Sequence, residues 1–408
     1  MRTMSYIVVR ILCAFGSLIA GVSHTEASPT SLKPIDQAAL QDTVDMTARE
    51  LMIPGAMVLL RTPQREFIVS YGTTQLGAAT APRAGTHFRI ASNTKTMTSA
   101  VILLLAQEGK IALGDPISKY VAGIPSGDAI TIAELLSMRS GLYNYTSAPE
   151  LAASLDHHPA KAWPPAELLA IALRHPPTFP PGQAYEYSNT NYLLLGLIVE
   201  KVETKALADI FKTRLFGPLG MRETSLPASS SNTLPEPYSH GYLYGSSSYA
   251  LTDAPYPADL QAQAKAGTLK PNDDTDQNPS YALAAGGAIS TARELAVWIR
   301  ALVGGDVLSS SSQRQWLESP APEDTNKPDG QKYGYGIAQI SFGPNRLYFH
   351  GGEMPGYNSF MGHDPINDVT LIVWTNLTLS IGSQVTANAI MLKVLDQVYV
   401  ESPLGKKP

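Results

Sequence analysis

Three short stretches carry side chains suited to opening an amide or ester. Ser92-Asn93-Thr94-Lys95 sets a hydroxyl and an amine three residues apart. Across the first turn of a helix that spacing puts both on one face. A hydroxyl there also lies at the positive end of the helix, where backbone N–H groups lack intrahelical partners. Burial of the amine would lower its pKa and leave it neutral. The stretch therefore offers a nucleophile, a base and part of an oxyanion site. Ser-x-x-Lys alone recurs roughly once in a chain this long. It equally fits a serine that caps a core helix ahead of a solvated lysine.

The second stretch is Tyr187-Ser188-Asn189, within Tyr185 to Tyr192, after Pro180-Pro181-Gly182 and before a helix. Tyr187 and Asn189, two apart in a loop, can project into one cleft. A phenol beside an ammonium ionises more readily, so it can take a proton from a serine and return it to a leaving group. The alternative is that the tyrosines pack the surface and Asn189 caps the helix. The third stretch, His350-Gly351-Gly352, ends the run Arg346 to Phe349. Two glycines at a strand end admit a ligand backbone and leave the N–H of Glu353 facing an oxyanion. The imidazole can donate to substrate or to the tyrosine. The alternative is an edge-strand histidine beside a bend.

Positioning these groups falls to elements legible in the hydrophobic pattern. Pro34 to Leu51 reads as an amphipathic helix. Gly55 to Leu60 and Glu66 to Tyr71 read as a hairpin across Arg61-Thr62-Pro63-Gln64. Thr86 to Ile90 reads as a strand end, and the following MTSAVILLLAQEG as a helix apolar nearly all round and hence buried. From 113 to 226 strand signals nearly vanish. Helical patterns cover Asp128 to Leu136, with Thr131 and Glu134 in capping-box spacing, then Pro165 to Arg174, Tyr192 to Glu203 and Ala206 to Leu215. Residues 227–280 are rich in Ser, Pro, Tyr, Asp and Gly and read as a long loop. Ala284 to Gly287 is a small-residue turn, and Ser290 to Val303 a helix. Strands return at Tyr333 to Phe342, Arg346 to His350, Tyr357 to Gly362 and Val369 to Trp374. Ile381 to Val400 closes as a helix.

The expected fold is α+β: an antiparallel sheet from both chain ends, flanked by helices, with an inserted all-helical lobe. The α/β lobe takes residues 34–112 and 281–402, the helical lobe 113–226 and the irregular loop 227–280.

With 408 residues and 44% hydrophobic content the chain can build a large core or two lobes. A net charge of −5 argues against a nucleic-acid partner. Arg2 and Arg10 accompany an apolar run, Ile11 to Val22, that is short for a membrane span. Thr25-Glu26-Ala27 supplies a cleavage site. Residues 1–27 are expected to be a secretory signal, giving a periplasmic or secreted protein with no stable membrane anchor after processing. The one cysteine, Cys13, lies inside that segment, so disulfides play no part in residues 28–408. Asp156-His157-His158 in a Pro-flanked loop, and His240 and His363 in polar loops, read as solvated, so no metal or other cofactor is expected. Leu142-Tyr143-Asn144-Tyr145 either lines the cleft or packs the lobe.

Ser92-x-x-Lys95, Tyr187-x-Asn189 and His350-Gly351-Gly352, in this order at large separations, resemble the three motifs of the penicillin-recognising serine hydrolases. The branch is that of class C β-lactamases, D-alanyl-D-alanine carboxypeptidases, D-amino-acid peptidases and related esterases. Phe88-Arg89-Ile90, LSMRSGLYNY from Leu136 to Tyr145, YSNTNY from Tyr187 to Tyr192 and FGPLGM from Phe216 to Met221 extend it over roughly Leu40 to Leu395. The resemblance implies that Ser92 becomes acylated and that Lys95 and Tyr187 share the proton work. It implies that Asn189 holds the substrate amide and that His350 stands where many relatives carry lysine. The oxyanion hole would be the N–H groups of Ser92 and Glu353. The implied substrate is a small peptide, a β-lactam or an ester.

Two positions depart from the pattern. Relatives that bind a terminal carboxylate carry Thr or Ser where this chain has Gly351, and carboxypeptidase-like ones carry arginine near Ala338. Arg346 on the neighbouring strand is a candidate substitute. Both losses leave room for an endo-acting peptidase, an amidase or an esterase beside the carboxypeptidase reading. A true β-lactamase would differ by rapid deacylation, and a non-catalytic sensor would bind without turnover.

Overall fold

The structure, a computed structural model, describes residues 32–252 and 254–401. The expected signal segment, with Cys13, lies outside them. The first helix, α1 (Gln37–Glu50), starts at Asp36, whose carboxylate accepts from the N–H groups of Ala38 and Ala39. The hairpin expected next is present as β1 (Gly55–Arg61) and β2 (Glu66–Gly72), clasped across the turn by the Arg61–Glu66 ion pair.

The predicted strand before Ser92 shrinks to β3 (Phe88–Arg89), and α2 (Thr94–Gln107) follows. In the segment 113–226, α3 (Ile132–Leu136) carries the predicted Thr131–Glu134 capping box. It is followed by α4 (Pro149–His157), α5 (Pro165–Leu173), α6 (Asn189–Glu203) and α7 (Leu207–Phe211). Helix α4 was not anticipated: Asp156-His157-His158 closes a helix rather than sitting in a loop.

The 227–280 segment is also more ordered than its composition implies. It holds β4 (Tyr242–Leu243) paired with β5 (Asn272–Asp273), and the helices α8 (Ser248–Thr252) and α9 (Ala258–Lys265). Elements of two to eight residues are too short to imprint a period. The predicted small-residue turn is a buried helical turn, α10 (Leu283–Gly286). Then β6 (Ile289–Ser290) pairs with β3, and α11 (Ala292–Gly304) is capped by Thr291. An unanticipated α12 (Ser310–Glu318) precedes β7 (Ala321–Pro322) and β8 (Lys332–Tyr333). The last strands are β9 (Ala338–Phe342), β10 (Asn345–Met354), β11 (Tyr357–Asp364) and β12 (Val369–Thr375), and α13 (Thr386–Val398) ends the fold.

The main sheet is antiparallel, in the order β2-β1-β12-β11-β10-β9-β8-β7. Strands from the two chain ends therefore lie side by side, as the sequence indicates. Every residue of β11 and β12 is buried, so both faces of the sheet are covered. His363, read from sequence as a loop residue, is buried in β11 with its Nδ1 2.9 Å from Thr370 Oγ1. The edge strand β2 alternates buried Phe67 and Val69 with exposed Ile68. Helices α1 and α13 pack on each other, and α11 packs on β1, β11 and β12.

Strand β10 does not stop at His350. It runs through both glycines to Met354 and passes against the turn that carries Ser92. Gly352 makes this approach possible: a Cβ there would fall 2.2 Å from the Ile90 carbonyl oxygen and 2.4 Å from Ser359 Oγ. Forcing atoms into a packed interior costs about 1–3 kcal/mol. Gly352→Ala should therefore lower the melting temperature and slow covalent labelling of Ser92 together. Thermal denaturation and labelling by a fluorophosphonate check this, and an unchanged melt would show that β10 does not press on the turn.

Candidate active site

Ser92 sits in a single 3-10 turn, Ala91–Asn93, between β3 and α2. The chain turns sharply because Ala91 adopts φ +48°, a left-handed conformation that costs a non-glycine residue about 1–2 kcal/mol. Packing on every side holds it there. Phe88 stacks on Trp374, ring centroids 5.0 Å apart. The buried Arg89 guanidinium donates to the carbonyls of Asn232 and Thr275. Asn93 Nδ2 donates to the Ile90 carbonyl and to Ser359 Oγ on β11. Thr94 Oγ1 donates to the Ala91 carbonyl and accepts from the Ala288 N–H.

Lys95, one helical turn on, is fully buried. Its Nζ lies 2.9 Å from Ser92 Oγ, 2.7 Å from Asn189 Oδ1 and 2.7 Å from the Ala285 carbonyl oxygen. Burial holds its pKa well below the ordinary lysine value. The three partners are unequal. The amide and carbonyl oxygens can only accept, and a neutral amine has two protons for them. Its lone pair is then left for the serine hydroxyl, which can donate.

Tyr187 also comes to this point: Lys95 Nζ lies 4.8 Å from its ring centroid. The ring is 6.4 Å from that of His350 and 6.2 Å from that of Tyr333. Ser92, Lys95, Tyr187 and His350 thus share one region, although they come from three separate segments.

The geometry adds protein partners to two residues with expected substrate roles. Asn189 was expected to hold a substrate amide. Its Oδ1 accepts from Lys95, its Nδ2 donates to Thr146 Oγ1 at 2.9 Å, and its backbone N–H donates to Asn144 Oδ1. Its side chain orients the lysine and keeps a second Nδ2 proton for a substrate in the pocket it lines. His350 was expected to donate to substrate or tyrosine. Its Nδ1 lies 2.6 Å from the Gly351 carbonyl, which can only accept, so Nδ1 carries the proton. Nε2 then accepts from the Tyr333 hydroxyl at 3.0 Å. Burial, then the nearby Lys95, pushes the imidazole pKa down to about 3, so the ring is neutral. Arg346 does not compensate for the missing cation. It is exposed, and it lies four residues, about 13 Å, before His350 on the strand.

Two pockets are lined by the residues of this region, one at Ser92 and one at Tyr187 and His350. The first, about 300 Å³, is lined by Ser92, Tyr145, Asn189, Tyr281, Ala285 and Glu353, among others. The second, about 320 Å³, is lined by Tyr185, Tyr187, Tyr333, Phe349, His350 and Gly351, with Ala338 and Gln331. Both stand at the small end of ligand pockets, the size for one residue rather than a long polymer. Tyr145 settles the two readings of its segment: it lines the first pocket and also packs, its hydroxyl donating to the Tyr281 carbonyl.

Sequence reasoning missed Ala285, Thr146 and Tyr333, and it named Asn144 only within the segment that lines the cleft or packs the lobe. Ala285 contributes only a carbonyl, which no side-chain motif reports. Asn144 and Thr146 left a signal, being polar groups in or beside an apolar stretch. The histidine pair plays no part in the cleft: His157 Nδ1 contacts its own helix at the Ala153 carbonyl. Neighbouring Asp156 accepts from Ser246 Oγ and the Ser247 N–H. His240 pairs with Asp273. Among the described residues, no helix is long and apolar enough to cross a membrane.

Comparison with known proteins places the architecture. A D-stereospecific amidohydrolase from a Streptomyces species superposes with TM-score 0.75 at 27% identity, over 88% of this chain and 98% of that one. A D-amino acid amidase from Ochrobactrum anthropi SV3, solved with L-phenylalanine amide, gives 0.74 at 25%, over 89% and 98%. Penicillin-binding protein 4* of Bacillus subtilis strain 168 is 27% identical over 319 residues, which are 75% of this chain. The chain spans 64% of the length of that relative. The sequence model of the Beta-lactamase family matches residues 40–396. The chain therefore belongs to the beta-lactamase family of serine hydrolases.

Proposed function

We propose that this protein is a serine amidohydrolase that cleaves D-amino-acid amides or peptides through an acyl-enzyme at Ser92. The observation that carries the proposal is the buried Lys95 amine, with two acceptors fixed and a serine hydroxyl at its third position. The substrate class rests on the likeness to the D-stereospecific amidohydrolase and the D-amino acid amidase.

In this scheme Lys95 takes the proton of Ser92 as Oγ bonds to the carbonyl carbon, and the carbonyl π pair moves to oxygen. The N–H groups of Ser92 and Glu353 receive the oxyanion. Collapse re-forms the carbonyl and breaks the C–N bond. The leaving nitrogen takes the proton from Lys95, with Tyr187 beside it to relay. Water then attacks the acyl ester, its proton returning to Ser92 by the same groups. The role of His350 is to accept from Tyr333 and so fix the wall along Tyr187.

A carboxypeptidase needs a cation or hydroxyl for the product's terminal carboxylate. The pocket beside His350 offers only a neutral imidazole, phenols, an amide and apolar groups. A leaving group without a terminal carboxylate fits it better. For the N-terminal run Ile11 to Val22, export with cleavage after Ala27 remains the proposed fate. A mature N-terminus found elsewhere by mass spectrometry would remove that part.

Ser92→Ala should abolish covalent labelling by a fluorescent penicillin or a fluorophosphonate and reduce amide hydrolysis by ~10⁴-fold or more. Persistent labelling in that variant takes Ser92 out of the mechanism. An acyl-enzyme lasting minutes with nitrocefin supports the peptidase and amidase class, whereas turnover within seconds makes the protein a lactamase. The amine must be neutral to act. The rate should therefore climb with pH through the depressed Lys95 pKa and reach its plateau below the ordinary lysine range near 10.4. Lys95→Arg, which cannot deprotonate, should lower kcat by about 10²–10⁴ and erase that limb of the profile.

A further inference from the structure

The pockets at Ser92 and at His350 differ in charge, and the difference tells which end of a substrate each takes. Among the described residues lining the Ser92 pocket, one bears a carboxylate, Glu353 on β10. It is 9% exposed, with Asn358 Nδ2 3.4 Å from its Oε2. No arginine or lysine is among its described lining residues. Lys95 reaches its edge through Ser92 Oγ, Asn189 Oδ1 and the Ala285 carbonyl, and it is the neutral partner there. The phenols of Tyr145 and Tyr281 on the wall, and of Tyr256 near Glu353, are all held above their ordinary pKa by burial, so they stay uncharged. The other pocket carries no acid among its described lining residues; Glu323, behind that wall, accepts from Gln331, and burial pushes its pKa up to about 7.

We propose that Glu353 is the specificity-determining residue for the acyl side, receiving the free α-ammonium of the residue whose carbonyl Ser92 attacks. The protein is then an amidase or aminopeptidase for substrates with an unblocked amine, cleaving after the first residue. This rests on the acyl-enzyme reading. Strand order supports the assignment of sides. Glu353 follows His350 by three residues, about 10 Å along β10. Gly352, between them, lies against the Ser92 turn. A carbonyl held at the Glu353 N–H therefore has the acyl part beyond it, toward Glu353 and Met354, and the leaving group behind it, toward His350. A buried carboxylate facing an ammonium forms a charge-assisted hydrogen bond, whereas an acylated amine brings neither charge nor fit. The leaving-group pocket, walled by Tyr185, Tyr187, Tyr333 and Phe349, accepts an uncharged or aromatic group.

The test compares kcat/KM for three anilides of one shape: D-alanine p-nitroanilide, its N-acetyl derivative, and the D-lactic acid analogue with hydroxyl in place of ammonium. The native protein should prefer the free amine over both by about tenfold or more near neutral pH, and the preference should fade as the α-amino group deprotonates around pH 8. Glu353→Gln should shrink the preference to about twofold, mostly through KM, and a melting curve should show that the variant is folded. If the variant does not fold, the native pH profile and the lactic analogue decide alone. Equal or faster cleavage of the N-acetyl substrate by the native protein overturns the inference, as does a preference that survives in folded Glu353→Gln. If no anilide is cleaved but p-nitrophenyl acetate still acylates Ser92, only this inference fails. If nothing acylates Ser92, the acyl-enzyme reading falls as well.

Discussion

Burial of one amine is the constraint that the rest of the site satisfies. An ammonium in a dry interior is costly, and loss of its proton removes most of that cost. A neutral amine must still satisfy two N–H groups and a lone pair. The chain answers with Asn189 at the start of α6, with the Ala285 carbonyl in α10, and with the Ser92 hydroxyl. Each partner is itself held. Asn144 and Thr146 fix Asn189, and Thr98 donates to the Ala284 carbonyl beside Ala285. The helical insertion and the 283–286 turn thus meet at α2 for one reason: together they close the amine off from water.

The same constraint explains the shape of the nucleophile turn. A serine one helical turn before a buried lysine must itself reach the surface of the cleft, and it is 8% exposed while Lys95 is 0%. The left-handed Ala91 turns the chain out at that point, and Asn93 bonded to Ser359 pins the turn to β11. The strain is local, and the bonds that offset it are spread over β3, β10, β11 and α10. Placement of Ser92 therefore depends on the assembled sheet rather than on the helix that follows it.

Long elements were legible in the sequence because they have a period. The β1–β2 hairpin, the β11–β12 pair, α2, α6 and α11 all announce themselves by alternation or by helical spacing. The three motif stretches were legible by residue type, and the resemblance by their order. What stayed hidden had no period or no side chain. Helix α4 sits between prolines, α10 is four small residues, and β7 and β8 are two residues each. Strand β10 was cut short at His350 because two glycines read as an ending, whereas here they are the condition for continuing past the Ser92 turn. Roles were harder than positions. Asn189 and His350 carry donors and acceptors in either tautomer or rotamer, and only their neighbours, Thr146 and Tyr333, decide what is left over for a substrate.

The departures from a carboxylate-binding site fit one another on electrostatic grounds. A lysine can be kept neutral by a neighbouring cation or by burial. Here burial is the cause, so the base needs no arginine or lysine nearby. His350 is driven neutral by burial and by the same Lys95, which means a protonated imidazole and a protonated lysine would oppose each other in one dry cavity. Gly351 and Ala338, the two departures read from the resemblance, offer no hydroxyl and no cation beside His350 and leave the partners of Lys95 untouched. On the reading proposed above, Glu353 stands on the acyl wall and no lysine or arginine is among the described residues lining the other pocket, Arg139 lying over the Tyr185 ring behind it. That arrangement suits the proposed substrate, with a positive amine before its scissile bond and nothing charged after it.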